Sequence, residues 1–405
     1  MGSELALDAE AIGPRIGPTV VRRFSGPEAD ELAILCRPAS GSRGVARQAD
    51  AAYRELAARL AEQRATFGDL ARETLFLRDR RDLPALLDAR TRVLAELGQR
   101  DTAPPPAFIE QAPVGGSPSF ALSAWAVVPH RRDTASVHDV RAMPSCACDG
   151  CARSAARLVR LGHQTSLHTT NVYGSGEGAF EESLDMFRAA ERLLERCGMD
   201  FRDVVRVWIH LRDIDRDYGA LNEARSAFFR GCGIEQRPAS TGVQGIPFPD
   251  AHAFSISVQA MRSARPLEIA RMSTPLLNEA WSYGAEFSRG LRCVDANKVT
   301  LHVSGTASID QAGRTVQAGD LEAQVDRMLD NVASLLDGQG AGFGDVVSAV
   351  TYLKRPSDAP IVRARCQQRG FDGFPWAIVE APLCRPELLC ETEAVALLAL
   401  GARGV

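Results

Sequence analysis

The chain has no strong charge of either sign and no long apolar run, and these two absences narrow its class first. Lys and Arg number 47 against 51 Asp and Glu, a formal net charge of -4 over 405 residues. No global field therefore draws it to a phosphate backbone, and nucleic acid is not an expected partner. Nowhere do about 18 uncharged apolar residues run together, so no membrane partner is expected. The acidic start, Met1 to Glu10, lacks the basic and apolar regions of a signal peptide, and the expected compartment is the cytoplasm. Ten cysteines in a chain of this length read as reduced thiols rather than a disulfide framework. What remains is ordinary globular usage, 45% apolar and 24% charged residues, in a chain long enough to require several domains or a repeat.

A repeat is present. Phe67-Gly68-Asp69-Leu70, Phe201-Arg202-Asp203-Val204 and Phe343-Gly344-Asp345-Val346 each open an apolar stretch that ends at Leu77, Leu211 and Leu353. Each reads as a strand after a tight turn. Helical patterns follow over Leu83 to Leu97, Tyr218 to Phe229 and Ile361 to Arg369, closed by Gly98, Gly233 and Gly370, as a left-handed C-cap requires. Pro106, Pro238 and Pro375 then lead toward further strands at Phe120 to Val128, Phe254 to Met261 and Leu388 to Leu400. Upstream, Leu32 to Pro38, Leu167 to Tyr173 and Leu301 to Ile309 read as strands before long amphipathic helices. In the second of these, Phe180, Leu184, Phe187, Ala190 and Leu194 form an apolar stripe; in the third, Leu321, Val325, Met328, Val332 and Leu335 do. The predicted fold is α+β, with three tandem units at 17–130, 158–262 and 288–400, a flexible N-terminus at 1–16, and links at 131–157 and 263–287.

The first link holds Cys146-x-Cys148-x-x-Cys151, flanked by His138 and His163. A structural zinc site needs a fourth ligand, and no second Cys-x-x-Cys is present, so the expectation is a disordered link with no cofactor. Gly174 to Gly178 lacks the Lys-Ser/Thr ending of a phosphate loop and reads as a hairpin turn. Trp208 and His210 share one face of a predicted strand, with the core and a cleft wall both open to them.

These landmarks resemble the Rid superfamily, also called YjgF, whose small members form homotrimers with ligand sites in the clefts between subunits. The strings that carry the resemblance are Asn222-Glu223-Ala224-Arg225 with Arg237-Pro238-Ala239-Ser240, and Ser304-Gly305-Thr306-Ala307 with Cys390-Glu391-Thr392-Glu393. The resemblance implies an intrachain pseudo-trimer with sheets inside and helices outside, either monomeric or assembled further as a homo-oligomer. Deaminating members carry a carboxylate-binding arginine shortly after the last proline. Phe108, Ser240 and Ala377 stand at the matching positions here, so standard imine deamination loses its bidentate partner.

The third unit resembles the chorismatases, which hydrolyse the enol-ether side chain of chorismate and release pyruvate. The matching residues are Cys384-Arg385-Pro386-Glu387-Leu388-Leu389-Cys390-Glu391, preceded by Ser304 to Ser308, Gly319-Asp320, Tyr283-Gly284 and Phe287-Ser288-Arg289. The chain departs from that family by its extra N-terminal unit and by Trp208-Ile209-His210-Leu211 where an Asn-Tyr-Pro-like stretch is usual. The expected partner is a small carboxylated metabolite. Glu391 is the candidate acid, because a carboxyl in a dry cleft beside Glu393 would hold its proton; the alternative is an ion pair across a unit contact. Cys384 is a candidate pocket wall, and Arg385, Arg289, Arg225 and Tyr283 are candidate substrate contacts. Expected chemistry is hydrolysis or elimination at an enol-ether, enamine or imine centre. The competing readings are a non-catalytic binding protein and a deaminase with a relocated arginine. Endoribonuclease action, attached to some family members, finds no support in the charge balance or in a His pair.

Overall fold

The computed structural model describes residues 19–38, 44–115, 118–143, 146–265 and 267–401. The expected flexible segment at 1–16 lies outside them. The first unit runs β1 (Thr19–Ser25), β2 (Ala29–Cys36), α1 (Val45–Glu62), β3 (Leu70–Leu77), α2 (Leu83–Glu96), β4 (Ala107–Glu110) and β5 (Phe120–Pro129). After β6 (Ala135–Arg141) and a short α3 (Asp149–Arg153), the second runs β7 (Ala155–Leu161), β8 (Gln164–Thr169), α4 (Ala179–Arg196), β9 (Val204–Leu211), α5 (Ile214–Cys232), β10 (Ala239–Gln244) and β11 (Phe254–Ser263). After β12 (Glu268–Arg271), the third runs β13 (Gly290–Val294), β14 (Val299–Ala307), α6 (Leu321–Asp337), β15 (Val346–Leu353), α7 (Ala359–Gln368), β16 (Trp376–Glu380) and β17 (Cys390–Leu398).

The three sheets share one topology: an antiparallel hairpin, a central antiparallel strand, its neighbour, and a parallel edge strand, as in β1-β2-β5-β3-β4. The sequence landmarks have local physical causes. Asp69, Asp203 and Asp345 accept hydrogen bonds from the backbone N–H of Thr66, Asp200 and Gly342 at 2.8, 2.9 and 2.9 Å. Each closes a one-turn 3-10 helix that aims the chain into the next strand. Gly98, Gly233 and Gly370 end their helices at φ of 68, 65 and 74°, where a Cβ would be strained.

In α4 the stripe turns slightly from the expected one. Met186, Phe187, Ala190, Leu193 and Leu194 are buried, while Phe180 and Leu184 are only half-buried. Strands β6 and β12 fall within the segments read as links, and each adds a sixth strand to the following sheet. Both are largely solvent-facing, and β12 is only four residues long, so neither carries the alternation that marks a half-buried strand. The glycine-rich 174–178 stretch, expected as a hairpin turn, instead leads into α4, with Gly178 at the helix entry.

Helices pack outside each sheet, and the other sheet faces meet inside. Buried polar contacts close the ring. Arg157 of the second unit donates to the carbonyls of Gly68 and Thr102 in the first, at 2.8 and 2.9 Å. Ser304 Oγ of the third unit accepts the N–H of Ser240 in the second, at 2.9 Å. Asn297 of the third accepts from the N–H of Glu28 and Ala29 and donates to the Ala29 carbonyl, at 2.9, 3.1 and 3.1 Å. The molecule is thus an intrachain pseudo-trimer of α+β units. Among the described residues, no helix is long and apolar enough to cross a membrane.

Candidate active site between the second and third units

Strand β17 supplies the carboxylates. Its register sets Glu391 opposite Tyr352 and Glu393 opposite Val350, and alternation sends both inward. Thr392 faces the other way and shares a 2.8 Å hydrogen bond with Thr351. The two acids have different surroundings. Glu393 forms an ion pair with Arg206 at 2.7 Å and accepts hydrogen bonds from Trp208 Nε1 and the Tyr352 hydroxyl at 2.7 and 3.1 Å. Glu391 makes no such ion pair among the described residues. It is 6% exposed. Burial first, and the charge of Glu393 second, push its carboxyl up to about 8, against the opposing pull of Arg206, Arg289 and Arg385. Desolvation wins, and Glu391 holds its proton at neutral pH.

Glu391 lies in the wall of a cavity of about 250 Å3 bounded by the second unit's Tyr218, Arg225 and Ser240 and the third unit's Arg289, Cys384 and Arg385. Gly305, in β14, permits its placement: a Cβ there would stand 2.0 Å from Glu391 Oε1. Phe287 lies between two guanidinium groups, those of Arg225 and Arg289 at 5.8 and 5.5 Å from its ring centre. Arg225 donates to Asn222 Oδ1 at 2.5 Å, and Arg289 Nε to the Asn278 carbonyl at 2.9 Å. Arg385 donates to the Gly313 carbonyl at 2.6 Å. Each arginine is therefore anchored by a hydrogen bond within the protein before any ligand arrives. Burial pushes the Cys384 thiol up to about 12, so it stays neutral and serves as wall rather than nucleophile. The Tyr283 side chain lies outside the described residues.

Five of the residues singled out from sequence thus meet at one cavity. Sequence reasoning missed Arg206, whose signal was nevertheless available: it stands between Val205 and Val207 in β9, at the place that Arg72 occupies in β3. Trp208 and His210 face the space around Glu393 instead. Burial lowers His210 to about 4, leaving it neutral. Phe108, Ser240 and Ala377 each stand second in a parallel edge strand, opposite Leu75, Val207 and Val350. In the position of Glu391 the other units carry Ala121 and Ser255, because Phe120, Phe254 and Cys390 pair equivalently with Leu77, Leu211 and Leu353. A single inter-unit junction therefore has a carboxyl at this place. The cysteine-bearing segment, expected to be a disordered link, is folded around α3, and its thiols meet His252 rather than His138 or His163.

A family model described as Endoribonuclease L-PSP matches residues 282–398, nearly the whole third unit. The third unit is similar to that family. The chain is similar to a 3-hydroxybenzoate synthase of Streptomyces hygroscopicus, with 28% identity over 235 residues that cover 51% of this chain and 66% of the relative. A chorismatase of Streptomyces rapamycinicus is 27% identical over 201 residues, covering 45% and 58%. The chain spans less than two thirds of either relative. A crystal structure of a chorismatase superposes with a TM-score of 0.55 over 71% of this chain and 86% of that one, at 19% identity, a likeness of fold.

Proposed function

We propose that this protein hydrolyses an enol ether on a small carboxylated metabolite in the manner of a chorismatase, with Glu391 as the acid and chorismate as the first substrate to test. One observation carries the reading: a buried carboxyl raised to about 8 lies in the wall of a cavity lined by Arg225, Arg289 and Arg385. Burial and a like charge keep a carboxylic acid poised as a donor near neutral pH, and guanidinium groups are the natural partners of a substrate carboxylate. The similarity to relatives named chorismatase and 3-hydroxybenzoate synthase supports it.

The protonated Glu391 carboxyl gives its proton to the terminal methylene carbon of the enol ether, and the adjacent carbon becomes an oxocarbenium ion. Water adds to that carbon and returns a proton to the Glu391 carboxylate. The resulting hemiketal breaks its bond to the ether oxygen as its hydroxyl proton passes to the departing alcohol, so substrate and water become pyruvate and the alcohol. General acid catalysis of this kind contributes about 10²- to 10⁴-fold.

A second reading, hydrolysis of an imine or enamine, is favoured by the same three arginines, which supply the carboxylate contact that Ser240 does not. Both readings are tested on the purified full chain by coupled detection of pyruvate from chorismate and of ammonia from 2-imino acids generated in place. Pyruvate release that falls at least about 100-fold in Glu391→Gln supports the first. Ammonia without pyruvate selects the second. No product in either assay, with a ligand-dependent rise in melting temperature, would replace both by a binding role.

A further inference from the structure

We propose that Cys146, Cys148, Cys151 and His252 bind one zinc ion that fastens the connection between the first and second units. The four ligand atoms lie within 4.8 Å of one another. His252 Nε2 is 3.7, 3.1 and 3.6 Å from the sulfurs of Cys146, Cys148 and Cys151, and the Cys146 and Cys151 sulfurs are 3.5 Å apart. A tetrahedron with Zn–S near 2.3 Å and Zn–N near 2.0 Å has edges of about 3.5 to 3.8 Å. The three His252–sulfur separations and the Cys146–Cys151 separation, 3.1 to 3.7 Å, lie close to those edges.

Its surroundings are those of a ligand set held in place. The Cys151 N–H donates to Cys148 Sγ at 3.3 Å. The His252 ring, 4% exposed, stacks on Tyr173 with centroids 4.7 Å apart. Its Nδ1 is 3.8 Å from Glu182 Oε1, leaving Nε2 as the nitrogen turned to the thiols. Three thiolates and an imidazole make a soft, closed set with no open position, which selects zinc in a structural rather than catalytic role. The ligands come from two places: the segment between β6 and β7, and the loop between β10 and β11. That loop also touches the first unit, through an Arg80–Asp250 ion pair at 2.8 Å and the Phe108–Phe248 ring contact at 5.9 Å. The ion would therefore tie the inter-unit connection to a loop that rests on the preceding unit.

The test is elemental analysis of the full chain, purified under reducing conditions without chelator, together with cobalt(II) reconstitution of chain stripped of metal. The expected results are about one zinc per chain, thiolate-to-cobalt charge-transfer bands with tetrahedral visible bands, and at least a fivefold loss of bound metal in Cys148→Ser and in His252→Ala. His252→Cys, which exchanges one soft ligand for another, retains the metal, and so does Cys197→Ser, which lies outside the cluster. A wild-type chain that carries no zinc and gives no cobalt spectrum overturns the proposal. So does undiminished metal in His252→Ala, or a Cys146–Cys151 disulfide mapped in the purified protein.

Discussion

Replacing Glu391 with glutamine should change the pH dependence of stability in a way that reports the protonation state of the carboxyl directly. Its folded value is raised from an ordinary 4.5 to about 8, while the unfolded chain ionises near 4.5. Below the unfolded value both states hold the proton, and the carboxyl costs nothing. Between about 4.5 and 8 the unfolded state releases it and the native state does not, so stability falls by about 1.4 kcal/mol per pH unit. The total across the window is on the order of 5 kcal/mol, with about 3 kcal/mol of it lost by pH 7. Glutamine fills nearly the same volume and cannot ionise. In paired guanidinium unfolding series from about pH 5 to 8.5, the two proteins should be nearly equal at the acid end. Glu391→Gln should become progressively more stable up to about pH 8 and then hold a constant advantage. Taking the difference between the variants cancels the titration of groups they share. A pH-independent difference would mean that Glu391 is ionised in the native state throughout, held by an arginine, and the proton-donor argument would fall with it.

Arg206→Met strips Glu393 of its buried partner and should cost about 3 to 5 kcal/mol in denaturant unfolding; the double variant with Glu393→Leu should recover most of that loss, and simple additivity would deny the pairing. Gly305→Ala places a methyl on the Glu391 carboxyl and should lower pyruvate release at least about 100-fold. Wild-type turnover in that variant would show that the carboxyl works elsewhere or not at all. Asn297→Ala removes three hydrogen bonds joining the third unit to the first and strands buried backbone groups, an expected loss of about 2 to 4 kcal/mol. A measured change under about 0.5 kcal/mol would refute its role in closing the ring.

By itself the sequence determined the repeat and most of its elements, because their causes are local. A carboxylate closing a turn three residues away, a glycine at a left-handed helix end and alternation along a strand all act within a few residues. It also marked Glu391 and the arginines, through strings shared with a family rather than through spacing. The edge strands β6 and β12 escaped because solvent-facing residues carry no burial pattern. The rest was decided by tertiary structure alone. Arg206 and Glu393 meet across 187 residues, and His252 reaches Cys148 across 104. Whether Glu391 keeps its proton depends on how completely two units exclude water from one cavity, and on Arg206 being already engaged by Glu393. Desolvation and charge pairing are properties of the assembled ring, and no stretch of the chain contains them.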